Sequence, residues 1–367
     1  MPDQPSSPLR QAQDVRTGQG STRLSRAEFE DRFRLQFQDP AFGTAQEEIA
    51  RLTAIAWDAY RDRRKSPRTR RAGPGFADPD FELSVEWLET RDRIHEAERE
   101  FAAPDSPSRI LLINGSPRTD ETCPSEMSKT FRLAESIQTQ IETQADFRVD
   151  VLDLSRLNSE YGRQIHPCKA CVSTAMPLCH WPCSCYPNHY LGQIHDWMNA
   201  LYPRWVAAHG IFIVTPVHWY QSPSVLKLMM DRLVCADGGN PDPTSTHGKE
   251  AAEAKALELR GWPFPKHLAG RRFALFVHGD SAGAEVLRRN LHDWLCDMAL
   301  VPSGTLAEFD RYIGYYEPYA TSHAALDRDE KLFAEARLAA DSLVNAVREL
   351  RAGRTPPDAG LNSPRPK

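Results

Sequence analysis

Several things that would settle the class of this chain at once are missing from its 367 residues. No stretch reaches the roughly 20 apolar residues of a membrane span. The opening MPDQPSSPLRQAQ has no apolar core of the secretory kind. Positive charge is not in excess, because 45 Lys and Arg face 50 Asp and Glu for a net charge of −5. That balance argues against a dedicated nucleic-acid binder. Neither GxxxxGK(S/T) nor GxGxxG occurs after an apolar run, which removes the usual nucleoside-triphosphate and dinucleotide sites. What remains, with 41% hydrophobic and 26% charged residues, is expected to be a soluble, cytoplasmic globular protein that neither enters membranes nor binds nucleic acid.

Residues 1–24 are polar and rich in Ser, Gln and Pro, the composition of a disordered terminus. Residues 25–105 read as a helical extension. Phe29, Phe33, Leu35 and Phe37 mark a short helix, and Ile49, Leu52, Ile55, Ala56 and Tyr60 a second. A third carries Phe81, Val85, Leu88 and Ile94. Between the second and third, seven Arg or Lys lie from Arg61 to Arg71. No aromatic stacking pattern accompanies them, so a solvated helix end and linker is the favoured reading over an RNA contact. A tail over 353–367 is again polar.

Residues 106–352 change texture. Apolar runs at Ile110–Ile113, Phe147–Leu152, Gly210–Thr215 and Arg272–His278 alternate with helical patterns. The helix before the third run carries Leu191, Ile194, Trp197, Met198 and Leu201. Others are expected over Pro223–Cys235, Ala284–Leu300 and Asp327–Arg351. This rhythm is that of an α/β fold with a doubly wound parallel sheet. Such sheets bind ligands at the carboxyl ends of their strands.

Three loops at those ends have unusual chemistry. ILLINGSPR runs from a buried strand into Asn114–Arg118, and the segment to Thr130 adds hydroxyls and Lys129. Hydroxyls, backbone amides and a helix N-terminus suit a phosphate monoester, although a plain strand-to-helix turn would look the same. TPVHWYQSP places His218, Trp219 and Tyr220 between Pro216 and Pro223. These rings either stack on a planar ligand or pack beneath a helix. HGDSAGAE offers Gly279 and Gly283 for close backbone approach, while Asp280 and Ser281 are candidate helix caps.

GSPR after the first run, TPVHWYQSPSVLKLMMDR after the third and HGDSAG after the fourth resemble the NADPH-dependent FMN reductases, which have a flavodoxin-like fold. The second stretch is the most specific, with Thr215, Pro216, Val217, Trp219, Leu226, Lys227, Asp231 and Arg232 on the family pattern. His218 stands where tyrosine is common. The resemblance spans roughly residues 108–350 and implies a five-stranded sheet. It implies that Ser116, Arg118, Ser128 and Thr130 hold the FMN phosphate. Pro216, Val217, His218 and Trp219 would border the isoalloxazine, with Gly279 and Gly283 on its other side. The first loop is longer than usual for the family by several residues. The implied activity is NAD(P)H-dependent: hydride passes from nicotinamide to FMN and on to a quinone, flavin, other small molecule or protein acceptor. No catalytic acid or base of the protein is required. A homo-oligomer is also expected, since flavin in such reductases often sits beside a subunit interface. The four tyrosines of RYIGYYEPYA (311–320) would line that interface or cover the flavin. The alternative is a non-catalytic electron-transfer or redox-sensing flavoprotein whose N-terminal helices dock a partner.

Five of the eight cysteines lie in HPCKACVSTAMPLCHWPCSCYPNH, residues 166–189. C-x2-C is the commonest half-site for zinc or iron–sulfur. Cys168, Cys171, Cys179 and Cys183 are therefore candidate ligands, and the position of the motif resembles that in the iron–sulfur flavoproteins. A [4Fe–4S] cluster, a zinc site, and redox-active or structural thiols all fit the spacing. The long connection from Cys235 to Gly270 reads as a lid, an oligomer contact or a surface excursion.

Overall fold

The computed structural model describes residues 18–62, 68–171, 176–185, 196–261 and 264–354. Most of the expected disordered terminus over 1–24, most of the tail over 353–367, the middle of the basic linker, and Leu191 and Ile194 lie outside these ranges. The chain forms two compact units. One draws on 1–89, 169–196 and 240–263, the other on 90–168, 197–239 and 264–367.

In the first unit, α1 (Arg26–Arg34) begins at a capping box, in which Ser25 and Glu28 satisfy each other's backbone amides. α2 (Gln46–Arg61) buries Ile49, Thr53, Ala56 and Ala59. Phe29 stacks on Tyr60 with centroids 4.7 Å apart, which ties the two helices together. Part of the basic linker is strand, because β1 (Thr69–Arg71) pairs antiparallel with β2 (Glu82–Ser84). Phe81 therefore precedes a strand and not a helix. α3 (Val85–Ala102) starts here and belongs to the second unit from residue 90 on, and its Trp87 packs with Leu83, Leu88, Phe76 and Phe81.

The second unit is a parallel sheet between helices. β3 (Ser108–Asn114) runs beside β4 (Phe147–Asp153) and β5 (Gly210–Pro216). β5 pairs with β6 (Arg272–Gly279). The far edge comes in two pieces: β7 (Val301–Pro302) pairs with the start of β6 and β8 (Glu308–Tyr312) with its end. Among the described residues the sheet thus has six strands in five positions. Taking its positions in chain order, the arrangement is 2-1-3-4-5, the flavodoxin-like winding.

Burial explains the apolar runs. All eight residues of β6 are buried, and so are six of the seven in β3. Alternate residues face opposite layers. Ile110, Leu112, Phe212, Val214, Ala274 and Phe276 pack with α4 (Lys129–Glu142) and α11 (Glu330–Arg351). Each of these side chains other than that of Ala274 contributes about 1.5–3 kcal/mol when fully buried. The other layer holds α6 (Met198–Ala207), α7 (Ser224–Arg232) and α9 (Ala284–Asp297). Trp205 of α6 meets Trp294 of α9 edge to face, with centroids 6.1 Å apart. The helix before β5 starts at Met198, with Trp197 as its N-cap. The long connection after α7 contains α8 (Ala251–Arg260), and α10 (Tyr319–Asp327) precedes α11.

Candidate functional site

A cleft of about 780 Å³ opens at the carboxyl ends of the parallel strands, within the second unit. Four strand-end segments meet in it, the β3–α4 loop, the turn after β5, the end of β6 and the stretch after β8, and Asn158 of the short α5 (Arg156–Ser159) after β4 adds to the lining.

The first segment gathers hydroxyls and cations on a turn tied by its own hydrogen bonds. Asn114 is locked by donating from Nδ2 to Asp153 Oδ1 at 2.8 Å, and its Oδ1 accepts the Ser116 amide at 3.1 Å. Ser116 Oγ in turn accepts the Arg118 amide at 3.2 Å, so the turn is fixed residue by residue. Arg118 folds back, its Nη2 donating to the carbonyls of Glu126 and Met127 at 3.3 and 3.4 Å. Its Nε is buried and, among the described residues, has no hydrogen-bond partner. Ser128 caps α4 by accepting the Phe131 amide at 3.1 Å, which sets the positive end of the helix at the cleft. Lys129 Nζ donates to the Ile313 carbonyl at 3.0 Å, and burial lowers its pKa, with Arg118 adding to the effect.

Thr130 is buried and its Oγ1 lies 2.9 Å from His278 Nε2 at the end of β6. Burial, then Lys129 and His218, push His278 down to about 3, so its ring is neutral at physiological pH. Its Nδ1 is the second buried atom at this site without a partner among the described residues. His218 is also pushed below its ordinary value by burial.

Pro216, Val217 and His218 form the wall beyond β5. The next two residues make a tight turn, in which the His218 and Gln221 amides and carbonyls exchange bonds of 2.9 Å. Trp219 and Tyr220 both take left-handed φ values, 48° and 64°. Two consecutive left-handed centres are the signature of a type I′ turn, usually filled by Asn-Gly. Here two large rings fill it, and Trp219 is 94% exposed. Gly279 lines the cleft, and any Cβ there would overlap Val217 Cγ1. Gly283 does not line it; with φ of 109° it caps α9 and its missing Cβ leaves room for the Tyr220 backbone. The stretch after β8 closes the remaining side with Tyr312, Tyr316, Tyr319 and His323.

The structure thus brings Ser116, Arg118, Ser128, Thr130, Pro216, Val217, His218 and Gly279 to one cleft. Trp219 stands exposed just beyond its wall residue His218, and Gly283 lies behind the wall. Lys129 entered the sequence reading only beside the hydroxyls, and His278 only as the end of a strand. The strand-end position of His278 was the one available signal.

The cysteines are arranged differently from their spacing. Cys171, Cys179, Cys183 and Cys185 belong to the first unit, while Cys168 belongs to the second. Cys171 Sγ lies 3.4 Å from Cys185 Sγ and 3.7 Å from Lys249 Nζ. The contact with Cys185, then the Lys249 charge, lower Cys171 to about 7 against the cost of burial. Burial opposes the Lys249 ammonium, but the four thiols outweigh it and raise its pKa. Lys249 also donates to the Leu178 carbonyl. Among the described residues no group of three or more His, Cys, Asp or Glu is placed to hold a metal ion, and the iron–sulfur expectation gains no support. None of the eight cysteines is disulfide-bonded.

The family model for NADPH-dependent FMN reductases matches residues 108–309, more than half of the chain, from β3 through β7 to the start of β8. The chain belongs to the NADPH-dependent FMN reductase family. It is accordingly an NAD(P)H-dependent flavin oxidoreductase. No curated protein sequence matches it. Solved structures similar to it include RosB with bound 8-demethyl-8-formylriboflavin-5'-phosphate, at 14% identity and TM-score 0.43, covering 68% of this chain and 82% of that one. An apo NADH:FMN oxidoreductase, EMOB, is 14% identical with TM-score 0.37, covering 69% and 92%. An azoreductase from Bacillus anthracis is 13% identical with TM-score 0.37, covering 64% and 99%. No helix among the described residues is long and apolar enough to cross a membrane.

Proposed function

We propose that this reductase carries FMN in the cleft and passes electrons from NAD(P)H to a planar aromatic acceptor such as a quinone or a second flavin. The observation that carries the reading is the donor set at the head of α4. Two cations, Arg118 and Lys129, stand with the hydroxyls of Ser116, Ser128 and Thr130 at a helix N-terminus, and Arg118 Nε has bonding capacity to spare. That set suits a phosphate dianion. The bare edge of Gly279 and the Pro216–His218 backbone form a flat-sided slot of a volume usual for a cofactor site.

Bound there, FMN would supply the two-electron chemistry that links the nicotinamide to the acceptor. The protein's own part is to hold and to exclude. Arg118, Lys129 and the hydroxyls fix one end. The Pro216–His218 wall and Gly279 border the other, and the tyrosines after β8 narrow the opening. His278, neutral and bonded to Thr130, stiffens the cradle without adding charge to it. Trp219, held out on its left-handed turn, offers a ring face for an aromatic acceptor.

Titrating the purified chain with FMN and following the quenching of flavin fluorescence tests the cofactor assignment. Following NADPH oxidation with a quinone added tests the rest. FMN binding with quinone-dependent turnover is the expected result. A chain that stays without flavin at excess FMN contradicts the assignment. Tight flavin with no nicotinamide turnover would instead favour an electron-relay role.

A further inference from the structure

The thiol cluster of the first unit takes no part in the flavin cleft, and its geometry has a chemistry of its own. Cys171 and Cys185 are 14 positions apart in sequence, yet their sulfurs are 3.4 Å apart. A disulfide needs about 2.05 Å, so an approach of little more than 1 Å would join them. Cys185 is 5% exposed, whereas Cys171 is half-buried and within reach of a small reagent. The ammonium of Lys249, 3.7 Å from Cys171 Sγ, is placed to stabilise negative charge on that sulfur. The surrounding scaffold is firmly tied. Asn240 Nδ2 donates to the Pro177 carbonyl at 3.1 Å and to Ser245 Oγ at 2.9 Å, and its amide donates to the Cys179 carbonyl at 2.7 Å. His180 Nδ1 lies 2.5 Å from Ser184 Oγ. Ala254 of α8 packs against Leu178 and Cys171.

We propose that Cys171 and Cys185 form a redox-active dithiol site that reduces small organic disulfides. Cys171, as the thiolate, attacks one sulfur of RSSR. The S–S bond breaks, one RS− leaves and takes a proton from water, and Cys171 is left in a mixed disulfide. Cys185 gives its proton to water and attacks Cys171 Sγ, closing the internal disulfide and releasing the second RS−, which is protonated in turn. Two protein thiols lose two electrons, and RSSR gains them as two RSH. Burial of Cys185 next to the more accessible Cys171 makes it the resolving sulfur.

The test uses the full chain, reduced and desalted without oxygen, then incubated with oxidised glutathione. Remaining thiols are alkylated and the digest is mapped by tandem mass spectrometry. The expected result is loss of two of the eight thiols through a single Cys171–Cys185 link. Cys185→Ser should stop at the intermediate, with one glutathionyl group held on Cys171. Should that variant not fold, the wild-type map alone decides. No thiol loss in the folded wild type, a link through another pair, or stoichiometric zinc or iron on these cysteines would each overturn the proposal. FMN binding, measured on the same samples, is expected to be unchanged, which separates this result from the fate of the flavin reading.

Discussion

The strand-end cleft and the thiol cluster are both polar sites, but they differ in where their bonding capacity points. The cleft leaves polar atoms unpaired: Arg118 Nε and His278 Nδ1 lack partners among the described residues, and both residues line the open volume. The thiol cluster turns inward, with Lys249 on Leu178 and Cys171, His180 on Ser184, and Asn240 on Pro177 and Ser245. Unpaired polar atoms around open space mark a place for a ligand. A closed set of reactive groups marks chemistry among its own side chains.

Mutations should separate the two regions. The largest effect is expected from removing both cations of the cradle, Arg118→Ala with Lys129→Ala. Each charge-assisted bond to phosphate is worth about 1.5–3 kcal/mol, so the FMN Kd should rise by at least about a hundredfold while the Cys171–Cys185 link still forms. Fluorescence titration and the thiol map read the two outcomes side by side. Gly279→Ala comes next. Its Cβ would overlap Val217, and overpacking of this kind costs about 1–3 kcal/mol, so both Tm and FMN affinity should fall. Thr130→Val leaves His278 Nε2 without its partner in a buried position, a loss of about 1–3 kcal/mol visible in denaturant unfolding. Trp219→Ala should be mildest, with unchanged FMN Kd and stability but a several-fold higher KM for an aromatic acceptor, in keeping with about 0.5–1.5 kcal/mol for a ring contact.

Acid should weaken the fold through its buried histidines. His278 is held at about 3 and His209 at about 4, both chiefly by burial, against an ordinary value of 6.5. Below pH 6.5 the unfolded chain binds protons that the folded chain refuses. Stability is therefore full above that pH and falls as pH drops toward 4 and then 3. The slope approaches about 1.4 kcal/mol per pH unit for each histidine. His278→Asn should flatten that slope when unfolding is followed across the range.

The parallel strands were legible because burial on both faces makes each one an apolar run, as in GIFIVT and RFALFVH. The far edge was not. Val301–Pro302 is two residues long, and EFDRY alternates charge with aromatics as a half-exposed edge does. Strand-end loops gave most of the cleft, since topology forces them together. Long-range pairings were hidden: Thr130 and His278 are 148 positions apart, and Lys249 reaches Cys171 across 78. Cysteine spacing likewise could not show that Cys185 lies beside Cys171, because residues 14 positions apart are brought together by the fold and not by the motif.

The most direct measurement is the FMN titration of the wild-type chain beside the Arg118→Ala, Lys129→Ala double variant. One FMN per wild-type chain, with binding lost in the double variant while the far-UV spectrum is preserved, is the expected result. Equal affinity in the two proteins would contradict a flavin phosphate held at the head of α4.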